Sequence, residues 1–234
     1  MSRILEDMNK RTADFVVLGS LGTFLALSFL IWQNTLQPFD IQLLSGVQSL
    51  VPRLADPLLS VLSLLGSFEI LTTVLVLVTF FNAPKRLLPI LGFYGIGLVI
   101  EILGKTYLPH LGPPVSAQRY DLGFLFPSSL YQPGSSFPSG HAFRTTYICI
   151  IGLFMAASQT LSKQTKHILS GGVLMFFLLM ILSRVSLGEH WPSDVLGGTL
   201  LGLGLGLLAI RCGVVLKITE ARKVLKRRNN PRGK

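Results

Sequence analysis

Six stretches of this chain are long and apolar enough to be read as membrane-spanning helices: residues 15–32, 57–81, 87–108, 142–160, 168–187 and 193–212. The second contains Gly66 and Glu69, which predicts a bend or a partly interfacial segment. The first is too long for a cleavable signal, whose apolar core runs to roughly 7–15 residues. It ends in Ile31-Trp32-Gln33-Asn34 and reads as a retained helix with an interfacial Trp. Between the first two stretches, Asp40-Ile41-Gln42-Leu43-Leu44, Val47 and Leu50-Val51 predict an amphipathic helix lying at the interface or capping the bundle. Residues 109–138 are proline-rich with little helical periodicity, which predicts a lid or substrate vestibule. In the last stretch Gly198, Gly202 and Gly206 recur every four residues and make a smooth helix face. Such a face serves close packing within one bundle or a dimer seam. The expected fold is all-α: a polytopic integral membrane protein of about six helices in one bundle. It forms one domain over 1–234, with no repeats or low-complexity linkers.

Composition agrees with the hydropathy. Half the residues are hydrophobic and 14% are charged, against roughly 25% charged in soluble domains. The net charge of +10 does not point to nucleic acid, because the basic residues are sorted by loop. With both termini cytoplasmic, sixteen of the twenty-one Lys and Arg fall on the inner side, as the positive-inside rule expects. The outer five are Arg53, Lys105, Arg119, Arg144 and Arg184. The basic segment 217–234 reads as a cytoplasmic tail, either an ordinary topological anchor or a patch for anionic lipid. Cys149 and Cys212 fall within or near spans, which argues against a disulfide, and no Cys/His spacing suggests zinc.

Two clusters carry candidate chemistry. The first is His190-Trp191-Pro192-Ser193-Asp194. Pro192 suits the first turn of a helix, and Asp194 is four residues beyond His190, so its carboxylate can reach back over that turn. A carboxylate on one ring nitrogen fixes the tautomer, frees the other nitrogen as a nucleophile and stabilises the charge gained on attack. Arg184 stands six residues before His190 and can grip two phosphate oxygens. The second cluster is Pro138-Ser139-Gly140-His141, opening the fourth apolar stretch. Amides at a helix start attract anions, Ser139 offers a hydroxyl, and Gly140 lets a phosphate approach the backbone. His141 then stands where a general acid is needed for a departing alkoxide. Lys105, near the outer end of the third stretch, supplies a point charge at the same face. Glu101, one turn earlier, can pair with Lys105 or with Arg144. Together these groups suit attack on a phosphate ester, and their membrane setting points to a phosphorylated lipid.

In these motifs the chain resembles the type 2 phosphatidic acid phosphatases, whose signatures are Lys-x6-Arg-Pro, Pro-Ser-Gly-His and Ser-Arg-x5-His-x3-Asp. The second is intact at Pro138 to His141, and the third at Ser183, Arg184, His190 and Asp194. The first reads Lys105-x6-Gly112-Pro113, with Gly112 in the place of the Arg. The resemblance covers roughly residues 57–212. It implies a phosphohistidine on His190, protonation by His141, support from Asp194, and oxyanion binding by Lys105, Ser139, Gly140 and Arg184. It implies no metal and no cofactor. Arg119, seven residues after Gly112, is the first choice to replace the missing Arg, and Arg144 the second. The expected activity is hydrolysis of a lipid phosphate or diphosphate at the outer face of a bacterial inner membrane. The alternatives are transfer of the phosphoryl group to a lipid or sugar hydroxyl, and an inactive lipid-binding relative.

Overall fold

The computed structural model describes residues 10–119 and 134–229, with side chains for 11–119 and 134–213. Among them there is no strand. Eight α-helices run in chain order: α1 (Lys10–Trp32), α2 (Gln37–Leu50), α3 (Asp56–Leu65), α4 (Phe68–Asn82), α5 (Leu87–Tyr107), α6 (Gly140–Ser158), α7 (Lys163–Ser186) and α8 (Pro192–Asn229). The centre of the expected lid, 120–133, and the last residues, 230–234, lie outside the described residues.

Helix starts follow local chemistry. Ser67, Ser139 and Ser162 each accept a hydrogen bond from a first-turn amide, capping α4, α6 and α7. Pro192 opens α8, where its missing N–H loses no bond. The stretch read as a second span is two helices. The chain from Arg53 to Leu65 meets Phe68–Asn82 at 53° across Gly66 and Ser67. Among the described residues four helical segments are long and apolar enough to cross a membrane: Arg11–Trp32, Pro84–Tyr107, Lys163–Ser186 and Pro192–Gly213; the bent pair makes a fifth if taken as one span. α6 completes the bundle without joining that set, because Gly140, His141, Arg144, Thr145, Thr146 and Tyr147 fill its first two turns.

That polarity is tolerated because α6 is central. Phe143, Tyr147 and Ile151 of α6 are fully or almost fully buried among Phe24, Leu27 and Ile31 of α1, Ile90 and Tyr94 of α5, and Leu201 and Leu205 of α8. Apolar side chains such as Phe15, Leu18 and Phe29 on α1 and Ile168, Met175 and Leu178 on α7 are exposed instead. That is the arrangement of helices that face lipid and pack by van der Waals contact with one another. The glycine face of α8 lies against α6 within the chain. A Cβ at Gly202 would come 2.6 Å from the Phe143 carbonyl and 2.8 Å from Thr146 Cβ. At Gly198 it would meet the Ser139 carbonyl, and at Gly206 it would meet Ile150. The surface suggested as a dimer seam is therefore covered by α6. α2 covers one end of the bundle through buried Asp40 and Leu44 and leaves Phe39, Ile41 and Leu43 exposed.

Candidate active site

The two sequence clusters meet where α6 and α8 begin. The Ser139 N–H donates to the Asp194 carbonyl at 3.0 Å, which stitches the two helix starts together. His190 and Asp194 form the expected pair, with Nδ1 3.3 Å from Oδ2. The same Oδ2 accepts the Trp191 N–H at 3.0 Å. The carboxylate is completely buried: Oδ2 is held by these two groups, while Oδ1 has no hydrogen-bond partner among the described residues. With Nδ1 turned to Asp194, Nε2 is the nitrogen left for a reaction. Burial, then the charges of Arg184 and Lys105, hold the His190 imidazole well below its ordinary pKa of 6.5. It is therefore neutral at pH 7 and keeps its lone pair.

The chain between Arg184 and His190 makes the turn that this requires. Gly188 takes a positive φ of 72°, open to glycine at no steric cost. The Glu189 and His190 N–H groups then both donate to the Arg184 carbonyl, each at 3.1 Å. Arg184 is almost fully buried at the end of α7, and its guanidinium binds Ser63 on α3 and the Glu189 carboxylate. A carboxylate thus already sits on the fork expected to grip phosphate.

Lys105 Nζ lies 2.9 Å from Glu101 Oε1, and Arg144 Nη1 lies 2.9 Å from Glu101 Oε2. Glu101 therefore bridges both cations, where the sequence left a choice between them. Gly140 makes room for this bridge, since a Cβ there would run into the Glu101 carboxylate. His141 follows Gly140 in the first turn of α6, three residues before Arg144, and so stands in the same cluster. The bend between α3 and α4 is part of the site, because a Cβ on Gly66 would come 2.8 Å from the His141 ring.

Arg119 is held elsewhere. Its Nε lies 3.2 Å from Asp56 Oδ2, and its Nη1 donates to the Gln48 and Val51 carbonyls at 3.2 and 3.0 Å. These bonds pin the outer loop to the end of α2 and the start of α3. Of the two arginines considered as replacements for the missing one, Arg144 joins the cluster and Arg119 does not share its partners.

Sequence reasoning missed Glu189, Ser63, His110 and Asp40. Glu189 falls in an unspecified position of the third motif. Ser63 reaches the site only because α3 and α4 bend. His110 is a single histidine in a proline-rich loop, and Asp40 reads as the polar face of an amphipathic helix, so neither gave a signal.

With the geometry in place, kinship is clear. The PAP2 superfamily matches residues 86–217, more than half of the chain. An undecaprenyl-diphosphatase of Sulfolobus acidocaldarius is 30% identical over 135 residues, 56% of this chain and 61% of that protein. A phosphatidylglycerophosphatase B of Haemophilus influenzae is 41% identical over 71 residues, 30% of this chain and 29% of that one. The chain thus matches less than two thirds of the length of either relative. Among solved structures, a transmembrane PAP2-type phosphatidylglycerolphosphate phosphatase from Bacillus subtilis superposes with a TM-score of 0.64 at 22% identity, covering 87% of this chain and 98% of that one. Aquifex aeolicus LpxE gives 0.54 at 23% identity, covering 73% and 94%. At these identities the structural likenesses speak for the fold alone. The chain belongs to the PAP2 superfamily. Members of that family are phosphatases that hydrolyse lipid phosphate or diphosphate esters, and this chain is an integral membrane protein of the same architecture.

Proposed function

We propose that this protein hydrolyses a lipid phosphate or diphosphate through a phosphohistidine on His190. The observation that carries this reading is the His190–Asp194 pair, set beside Arg184, Lys105 and His141 at the meeting of two helix starts. In the first step His190 Nε2 attacks phosphorus and the bond from phosphorus to the lipid oxygen breaks. The incoming phosphate offsets the cations that disfavour a charged His141, so the ring takes up a proton and gives it to that oxygen. In the second step water attacks phosphorus, His141 takes the proton, and the nitrogen–phosphorus bond breaks to release phosphate. Asp194 stabilises the positive charge on the phosphorylated ring. Lys105, Arg184, the Ser139 hydroxyl and the Gly140 N–H meet the equatorial oxygens. The Ser139 N–H is already used by Asp194, so the backbone contribution starts at Gly140. Phosphate displaces Glu189 from Arg184 as it enters.

The substrates of the named relatives, undecaprenyl diphosphate and phosphatidylglycerol phosphate, are the first candidates here. Phosphatidic acid and lipid A phosphates follow from the family. The sorting of basic residues favours cytoplasmic termini and a site on the outer face of a bacterial inner membrane. The test is a panel of purified lipid phosphates and diphosphates in detergent, with no acceptor alcohol added. Phosphate release supports hydrolysis; release only when an acceptor is supplied contradicts it.

Two results are expected along the way. Neutralisation of the phosphate comes from Lys105, Arg184 and helix amides, so activity survives an excess of chelator. Loss with chelator and rescue by a single added metal contradicts this. The second concerns Gly112, where the family signature has Arg. Arg144 takes over that charge, held in place by Glu101. Charge-assisted hydrogen bonds contribute about 1.5–3 kcal/mol, so Arg144→Ala lowers kcat/KM at least about tenfold. Arg119→Ala leaves kcat/KM near wild type and lowers the melting temperature. There is room for a side chain at Gly112, whose Cβ would come 3.5 Å from Ser136 Cβ. Gly112→Arg in the Arg144→Ala background therefore recovers part of the loss. The opposite ranking of Arg119 and Arg144 rules Arg144 out.

A further inference from the structure

Asp194 has a second histidine behind it. While Oδ2 faces His190, Oδ1 lies 3.4 Å from Nε2 of His110. His110 is buried, 4% exposed, in the loop that follows α5. Its carbonyl accepts the Ser136 N–H at 2.8 Å and the Ser135 and Ser136 hydroxyls at 3.1 Å each, so the backbone that carries the ring is pinned by three donors. Beyond it stands Asp40 of α2, with Oδ2 3.8 Å from the same Nε2. Asp40 is itself fixed by Ser193, whose N–H and hydroxyl donate at 2.9 and 2.7 Å. The Ser193 hydroxyl lies 3.5 Å from His110 Nε2.

Two carboxylates and a hydroxyl therefore converge on one ring nitrogen. A lone pair there would face two negative groups, so Nε2 carries the hydrogen. Burial is the main cause that raises the Asp40 pKa above its ordinary 3.8; the Asp194 charge adds to it, while Ser193 and His110 offset it. A donor at Nε2 is what two buried acids this close require. A buried carboxylate otherwise tends to take up a proton. A protonated Asp194 could neither orient His190 nor stabilise the charge that forms on it.

We propose that His110 is a positioning residue for the phosphoryl-transfer reaction, holding Asp194 as a carboxylate aimed at His190 from the side opposite the nucleophile. The inference rests on the reading of His190 given above. The row runs His190, Asp194, His110, Asp40, drawn from the turn before α8, from α8 itself, from the loop after α5 and from α2. Charged groups bearing on it are Asp40 from α2, Lys105 and Glu101 from α5, Arg144 from α6 and Arg184 from α7. Of these only Asp40, together with Asp194 itself, is within ion-pair distance of His110 among the described residues.

The test compares full-length wild type, His110→Gln, His110→Phe and His190→Ala in detergent. It measures phosphate release from phosphatidic acid and from a polyprenyl diphosphate across the acid and neutral range, with melting temperatures alongside. His110→Gln keeps an amide N–H to face Asp194 Oδ1 but removes the positive charge that a protonated ring brings there. It keeps most of the plateau kcat, while the acid limb of kcat/KM moves up by about one pH unit. His110→Phe loses the donor as well, and plateau kcat falls at least about tenfold with KM little changed. A purely structural histidine lowers the melting temperature and the yield of folded enzyme and moves neither limb nor kcat per folded molecule. That result overturns the proposal. Should His110→Phe not fold, His110→Gln decides alone, an unmoved acid limb counting against His110. An active His190→Ala overturns both His110 and the phosphohistidine reading. An inactive His190→Ala with unchanged His110 variants overturns His110 only.

Discussion

Replacing His190 by alanine removes turnover. In the proposed mechanism the lost group forms the bond to phosphorus, and deleting a covalent nucleophile lowers kcat by about 10⁴-fold or more. Binding responds differently. Arg184, Lys105 and Arg144 are all retained in His190→Ala, so the variant still binds the lipid phosphate and competes for substrate in a mixed assay. A variant that keeps a tenth of wild-type activity places the nucleophile elsewhere. The comparison with Asp194→Asn is informative, because the amide keeps the shape and loses the charge that stabilises the phosphorylated ring. Activity of Asp194→Asn falls less than that of His190→Ala, and the melting temperatures of the two separate chemistry from folding.

Replacing His141 by alanine gives the second largest loss, about 10²–10⁴-fold for a general acid. Its size depends on the leaving group. An alkoxide leaving from a phosphate monoester is strongly basic and needs the proton. The phosphate leaving from a diphosphate is far less basic and needs it less. His141→Ala therefore loses more on phosphatidic acid than on a polyprenyl diphosphate, and less still on an activated aryl phosphate. Equal losses on all three assign His141 to binding rather than to proton transfer. The ring lies against Gly66, and alanine leaves a space there without disturbing the cap of α6 by Ser139. The variant therefore folds.

The geometry of the candidate site was legible in the sequence because it depends on residues close together along the chain. His190 and Asp194 are one helical turn apart, and Ser139, Gly140 and His141 are consecutive, so spacing alone put each group at a helix start. The glycine rhythm of α8 and the length of the first helix were visible for the same reason. Longer-range features were not. Glu101 bridges Lys105 on its own helix and Arg144 across 43 positions, and spacing left both pairings open. The bend at Gly66 was expected, yet nothing local said that it brings Ser63 to Arg184 and Gly66 to His141. Arg119 looked free to reach a phosphate because a loop charge has no visible partner. Its partners, Asp56 and the Gln48 and Val51 carbonyls, lie more than sixty positions away. α6 was read as an ordinary span, and its polar first turns make sense only once it is seen enclosed by α1, α5 and α8.

The central claim is that phosphate passes through His190. Purified enzyme is mixed with a lipid phosphate labelled in the transferable phosphoryl group and quenched in alkaline denaturant within a turnover. The label is then followed on the protein. A nitrogen–phosphorus bond on histidine survives alkali and is lost in acid. The account predicts protein-bound label with that stability, mapped to the peptide that holds His190, present in His141→Ala and absent from His190→Ala. Rapid hydrolysis with no protein-bound label at any quench time, or label that persists in His190→Ala, would contradict it.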